Sequence, residues 1–137
     1  MALFNIFGKK DAASELTRSI PYRISTEFVP YKLYSSRKSQ VSMFLKVKNA
    51  TKEVLLTSVV MELPNQLGFD DMGMQKQKEL RLGELKPLEE REMRLDIYNT
   101  MNADPGEYTV AITTISHYRD YGHVLNAVKK KATLNVV

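Results

Sequence analysis

Cysteine and tryptophan are both missing from the 137 residues. Without cysteine there is no disulfide framework, no thiolate metal site and no cysteine nucleophile, and a reducing, cytoplasmic setting suits the chain. The lack of tryptophan removes the buried Cys-Trp-Cys arrangement of antibody-type domains. Histidine occurs only at His117 and His123, so imidazole chemistry has few places to reside. No apolar run approaches the ~18 residues of a membrane span. The opening Met1-Ala2-Leu3-Phe4-Asn5-Ile6-Phe7 is too short for the core of a signal peptide. Glycine-rich phosphate loops of the Rossmann or P-loop form do not occur, and nothing in the sequence asks for a cofactor. The formal charge is +4, but 20 basic residues are interspersed with 16 acidic ones. That mixture describes an ordinary solvated surface and gives no sign of nucleic-acid binding.

What is present is a period of two. The strongest single signal is Asp104-Pro105-Gly106-Glu107-Tyr108, which leads into Thr109-Val110-Ala111-Ile112-Thr113-Thr114-Ile115. Proline pre-sets a turn, glycine relaxes it, and Asp104 can bond its own downstream backbone. Tyr108, two residues after Gly106 at the head of a β-branched run, matches a tyrosine corner, whose phenol ties a strand back to the preceding turn. Asp104, Gly106 and Tyr108 are therefore expected to be structural.

Other strands follow from alternation. Tyr22, Ile24, Thr26 and Phe28 share one face of a first strand that ends near Pro30, and residues 31–34 extend that edge after a kink. Val41, Met43, Leu45 and Val47 point inward from a second strand, with Phe44 an exception on its polar face. Residues 54–63 are apolar on both faces, which predicts a central strand. Residues 78–82 form a brief strand closed by a turn at 83–88. Residues 89–98 alternate again, 108–118 follow the corner, and 124–137 return with Val128, Leu134 and Val136 in phase. A bulge near Lys129-Lys130-Lys131 would keep Lys130 out of the core, and that charge guards an edge. Turn signals at roughly ten-residue spacing predict an all-β, immunoglobulin-like antiparallel sandwich of seven to eight strands over residues 21–137.

Residues 1–20 differ in character. Leu3, Phe4, Ile6 and Phe7 are apolar, Lys9 and Lys10 follow, and Asp11 can cap a short helical stretch. Two readings are open: an amphipathic foot that rests on an anionic membrane or docks on a partner, or a tail that packs locally or stays disordered.

Four phrases in order resemble the prokaryotic immunoglobulin-like modules of the CARDB type. They are Val47-Lys48-Asn49-Ala50-Thr51, Val60-Met61-Glu62-Leu63-Pro64, Leu82-Gly83-Glu84-Leu85-Lys86-Pro87-Leu88-Glu89, and Pro105-Gly106-Glu107-Tyr108-Thr109-Val110. The resemblance spans about residues 22–137. It implies a binding or spacer module and transfers no catalytic residue.

For chemistry, His117, Asp120 and His123 flank one hairpin tip and make a conceivable three-ligand metal site for a hydrolase. Exposed loop histidines explain the same pattern, so no metal is expected. Asp70-Asp71 lacks the alternate spacing of a calcium loop. Asn49-Ala50-Thr51 meets the glycosylation pattern, but a strand turn accounts for it equally. The better candidates are for protein contact. Tyr118, Arg119 and Tyr121 at the last hairpin combine rigid rings with a planar cation, and Phe69 and Met72, with Met74, offer an adaptable apolar loop. The reading is a non-enzymatic interaction module that binds a protein through loop tips or an edge strand, conceivably a second copy of itself. A membrane-peripheral scaffold role for the N-terminal segment is the first alternative, and the metal-dependent hydrolase is the second.

Overall fold

The computed structural model describes residues 20–137. The expected N-terminal foot or tail therefore lies, apart from Ile20, outside the described residues. Eight strands and no helix occur among the described residues: β1 (Tyr22–Val29), β2 (Lys32–Leu33), β3 (Ser39–Asn49), β4 (Leu55–Glu62), β5 (Gln77–Leu85), β6 (Glu90–Asn99), β7 (Gly106–His117) and β8 (Val124–Val136). They form two sheets, one in the order β1-β3-β6 and the other in the order β2-β8-β7-β4-β5.

Alternation explains the layering. From β3, Val41, Met43, Leu45 and Val47 are at most 1% exposed. They meet Val59, Met61, Val110, Ile112 and Leu134 of the facing sheet in one buried cluster. Such interdigitation of two inner faces is what holds a sandwich together. The outer face of the three-stranded sheet is charged and cross-paired, with Lys46 opposite Glu92 and Lys48 opposite Glu90.

Three sequence expectations change. Residues 31–34 do not prolong the first strand's edge. The chain crosses layers at the cis Val29–Pro30 bond, and Lys32 and Leu33 pair in parallel with Asn135 and Val136 of the other sheet. The brief strand at 78–82 is longer because Gly83, at φ 75°, absorbs a bulge opposite Thr57 and Ser58. The turn therefore falls at Lys86–Glu89, where the Glu89 amide donates to the Lys86 carbonyl at 3.0 Å. No bulge interrupts Lys129 to Lys131: β8 stays in register with β7 there, and the shift occurs between Ser116 and His117. Lys130 is thus in phase with the core, and its long stem lets the ammonium escape. Its Nζ donates to the Ile24 carbonyl of β1 at 2.8 Å, across the seam between the two sheets.

Asparagines close both ends of the three-stranded sheet. Asn49 is fully buried. Its Nδ2 donates to the Glu53 and Leu85 carbonyls (2.7 and 3.0 Å), while Oδ1 accepts from the Thr51 amide and hydroxyl (2.8 and 2.7 Å). This clamp leaves no free amide for a glycan. Asn99 does the same at the other end, reaching the Tyr34 carbonyl at 2.8 Å.

Candidate functional site

The β7–β8 tip is built by short-range hydrogen bonds. The Tyr118 amide donates to the His123 carbonyl at 2.8 Å, and the Asp120 amide donates to the Tyr118 carbonyl at 2.8 Å. Asp120 Oδ1 accepts from the Gly122 amide at 2.9 Å and meets His123 Nδ1 at 2.8 Å. The His123 contact, seconded by the Gly122 amide, holds the Asp120 carboxyl below its ordinary range. Arg119 takes φ 70°, a conformation disfavoured for a residue with a side chain and frequent at binding sites.

Beneath the tip, Tyr121 is a brace. Its hydroxyl accepts the Gly83 amide hydrogen at 2.9 Å. Its ring meets His117 edge-on, with centroids 5.0 Å apart, and the Arg81 guanidinium lies 4.7 Å from the ring centre. His117 in turn has Nε2 2.7 Å from Ser58 Oγ. Tyr121 therefore differs from Tyr118: it is tied down on three sides and belongs to the support.

The pair Ser58 and His117 has the contact that a nucleophile and its base would make. However, Ser58 is 1% exposed, and His117 Nδ1 is buried with no hydrogen-bond partner among the described residues. Among the described residues no carboxylate is hydrogen-bonded to the ring, and the Ser58 hydroxyl is covered, so the contact fastens β4 to β7. The alternative of a three-ligand metal site is not assembled either. Asp120 and His123 touch, but His117 is buried under Tyr121 with Nε2 engaged by Ser58. No group of three histidine, aspartate or glutamate side chains is set to hold a metal among the described residues.

What remains open is a surface of exposed apolar side chains set among charged ones. Tyr118, Val124, Leu125 and Val54 are 52%, 62%, 61% and 51% exposed. Tyr118, Leu125 and Val54, with Arg119, His117 and the carboxylates Glu53 and Glu84, line a shallow groove of ≈ 410 Å³. Arg119 stacks on Tyr118, 5.1 Å from its ring centre. Val54, Leu125 and Ser58 were not singled out by their sequence. The adjacent Val124 and Leu125 at the start of an otherwise alternating strand were the available sign.

The other predicted contact loop splits in two. Phe69 is 6% exposed and belongs to the core, because Gly68 bridges to Tyr98 of β6 and turns the loop inward. Met72 and Met74 remain 75% exposed. Asp70 organises this loop: its Oδ1 accepts from the Met74 and Gln75 amides at 2.8 and 2.9 Å. Those bonds, the Gln75 amide first, hold its carboxyl below the usual value. At the start of β7, the Tyr108 hydroxyl donates to the Asp104 carbonyl at 2.7 Å. Asp104 thus contributes its main chain to the corner, and Gly106 opens the strand opposite Val136.

No family model and no curated protein matches the chain. Solved structures do. The part of native alpha-2-macroglobulin from Escherichia coli that runs to its C-terminus superposes with a TM-score of 0.64 at 13% identity, covering 85% of this chain and 16% of that one. A Salmonella alpha-2-macroglobulin mutant gives 0.62 at 16% identity, covering 85% of this chain and 7% of that one. A FixG-related protein from Vibrio parahaemolyticus gives 0.54 at 11% identity, covering 85% of this chain and 96% of that one. The chain thus spans a small part of the macroglobulins and nearly the whole of the FixG-related chain. At such identities the likeness is one of fold, and the fold is an immunoglobulin-like β-sandwich.

Proposed function

We propose that the chain is a non-enzymatic module that holds a protein partner through the β7–β8 tip. One observation carries this reading: three large apolar side chains, Val54, Tyr118 and Leu125, are exposed around a shallow groove at the tip, with Val124 exposed next to Leu125 in the chain. Isolated exposed apolar residues need no explanation, whereas a cluster flanked by an arginine stacked on a tyrosine has hot-spot composition. The tip is also held in place from below by Tyr121 and His117, and such preorganisation lowers the entropy lost on docking. The four turn phrases that resemble CARDB-type modules support a prokaryotic module of that type, and the absence of cysteine supports a cytoplasmic setting. No helix among the described residues is long and apolar enough to cross a membrane.

The test is the double variant Tyr118→Ser with Leu125→Ser. Both side chains are more than half exposed, so the unfolding temperature stays within about two degrees of wild type. The partners retained by the tagged protein in its native cell are lost. An unchanged set of partners removes the tip from consideration.

A further inference from the structure

The open edge of β8 is a second feature, and its hydrogen-bonding direction can be worked out. The Val137 amide donates to the Leu33 carbonyl, and the Val137 carbonyl accepts the Ser35 amide. Odd-numbered residues at this end of the chain therefore present their backbone to the edge that β2 occupies. Register with β7 is unbroken from Asn126 to Val136, so the same side is presented by Lys129, Lys131 and Thr133. Ala127 agrees: its amide is satisfied by the side chain of Asn126 at 3.0 Å. β2 and the residues just after it cover only Asn135 to Val137. Among the described residues no strand pairs with the edge from Val124 to Thr133.

The side chains along this edge say what it would accept. Lys129 and Lys131 lie on the outer face and are exposed, and neither joins an ion pair among the described residues. Lys130 points the other way and is engaged by the Ile24 carbonyl. A basic edge repels a second basic edge, which is the usual guard against self-pairing. The same charge favours a strand of opposite sign.

From this geometry we infer that β8 accepts an extended acidic segment of a partner protein as an added strand. This rests on the reading of the chain as a protein-binding module and names the chemistry of one partner element. The pattern is acid, apolar, acid: carboxylates at alternate positions face Lys129 and Lys131, and the residue between them points toward the seam beside Lys130. The edge continues into Leu125, so one partner can occupy both edge and tip.

The probe is a ten-residue peptide of alternating valine and aspartate, titrated into the full chain. Controls replace aspartate by lysine, or carry a methyl group on every backbone nitrogen. Binding of the acidic peptide slows hydrogen exchange at the Lys129, Lys131 and Thr133 amides, while Lys130 and Ala132, already turned toward β7, are unchanged. Lys129→Glu with Lys131→Glu weakens it about tenfold and transfers preference to the lysine peptide. The N-methylated peptide, which keeps the charge and lacks the donors, does not protect the edge. Absence of binding at millimolar peptide, or binding without the alternating protection, overturns the inference, as does equal protection by the N-methylated control. Edge protection that arises from self-association without peptide also overturns it. The Tyr118→Ser, Leu125→Ser variant separates the two readings. If the peptide fails while wild type, and not this variant, retains its cellular partners, strand addition falls and the module reading stands. If the variant loses no partner and the peptide protects the edge, the tip reading falls alone.

Discussion

The Tyr121 hydroxyl accepts the Gly83 amide hydrogen at 2.9 Å, so the β7–β8 tip is anchored to β5, two strands away, over the outer face of β4. The bulge at Gly83 frees that amide from the ladder, and the tyrosine uses it.

Tyr121→Phe removes one hydrogen bond and leaves an amide without its partner, which destabilises the fold by about 1 kcal/mol. Tyr121→Ala costs more, because it also removes the ring between His117 and Arg81. Tyr118→Ala, at an exposed site, stays within ~0.5 kcal/mol of wild type. Denaturant midpoints at constant slope check all three, and equal losses at 118 and 121 would contradict the division into contact and brace.

Thr114 is fully buried, and its hydroxyl has no hydrogen-bond partner among the described residues. Thr114→Val keeps the shape and removes a desolvated polar atom, so it stabilises the fold by roughly 1 kcal/mol. A lowered unfolding temperature would show that the hydroxyl has a partner.

Asn49→Ala deletes a buried side chain that makes four hydrogen bonds to the β3–β4 turn and the end of β5. The carbonyls of Glu53 and Leu85 and the amide of Thr51 lose that partner, and stability falls by about 3 kcal/mol. Thermal unfolding measures it, and a loss below 1 kcal/mol would mean that the turn re-forms without the clamp.

The Asp70 and Asp120 carboxyls both titrate lower in the folded chain than their ordinary value of 3.8. Folding therefore favours the ionised forms. Their contribution is complete above the unfolded value and is lost as pH falls through the folded ones. The unfolding temperature of wild type drops below about pH 4. Asp70→Asn lowers stability at neutral pH and flattens this acid dependence, as a pH series of melts would show.

Much of the fold is visible in the sequence where one face of a strand meets the core and the other meets water. Val41, Met43, Leu45 and Val47 alternate for that reason, and all four are buried. Local rules fail where a distant element decides burial. Ser58 lies on the outer face of β4 yet is 1% exposed, packed under His117 from β7. Phe69, in a loop of glycines and acids, is drawn inward by a bridge to Tyr98. The crossing at Pro30 depends on pairing with residues over a hundred positions later. At the site, ring chemistry marked Tyr118 and Tyr121 alike. Only the bulge at Gly83, a tertiary partner, separates the brace from the free ring.

The parallel seam between β2 and β8 has a mechanical consequence. Tension applied to the backbone before Lys32 and at Val137 pulls the two segments along their length in opposite directions. The Leu33–Val137 and Ser35–Val137 hydrogen bonds then bear the load together, side by side, and the sandwich resists being peeled open one rung at a time.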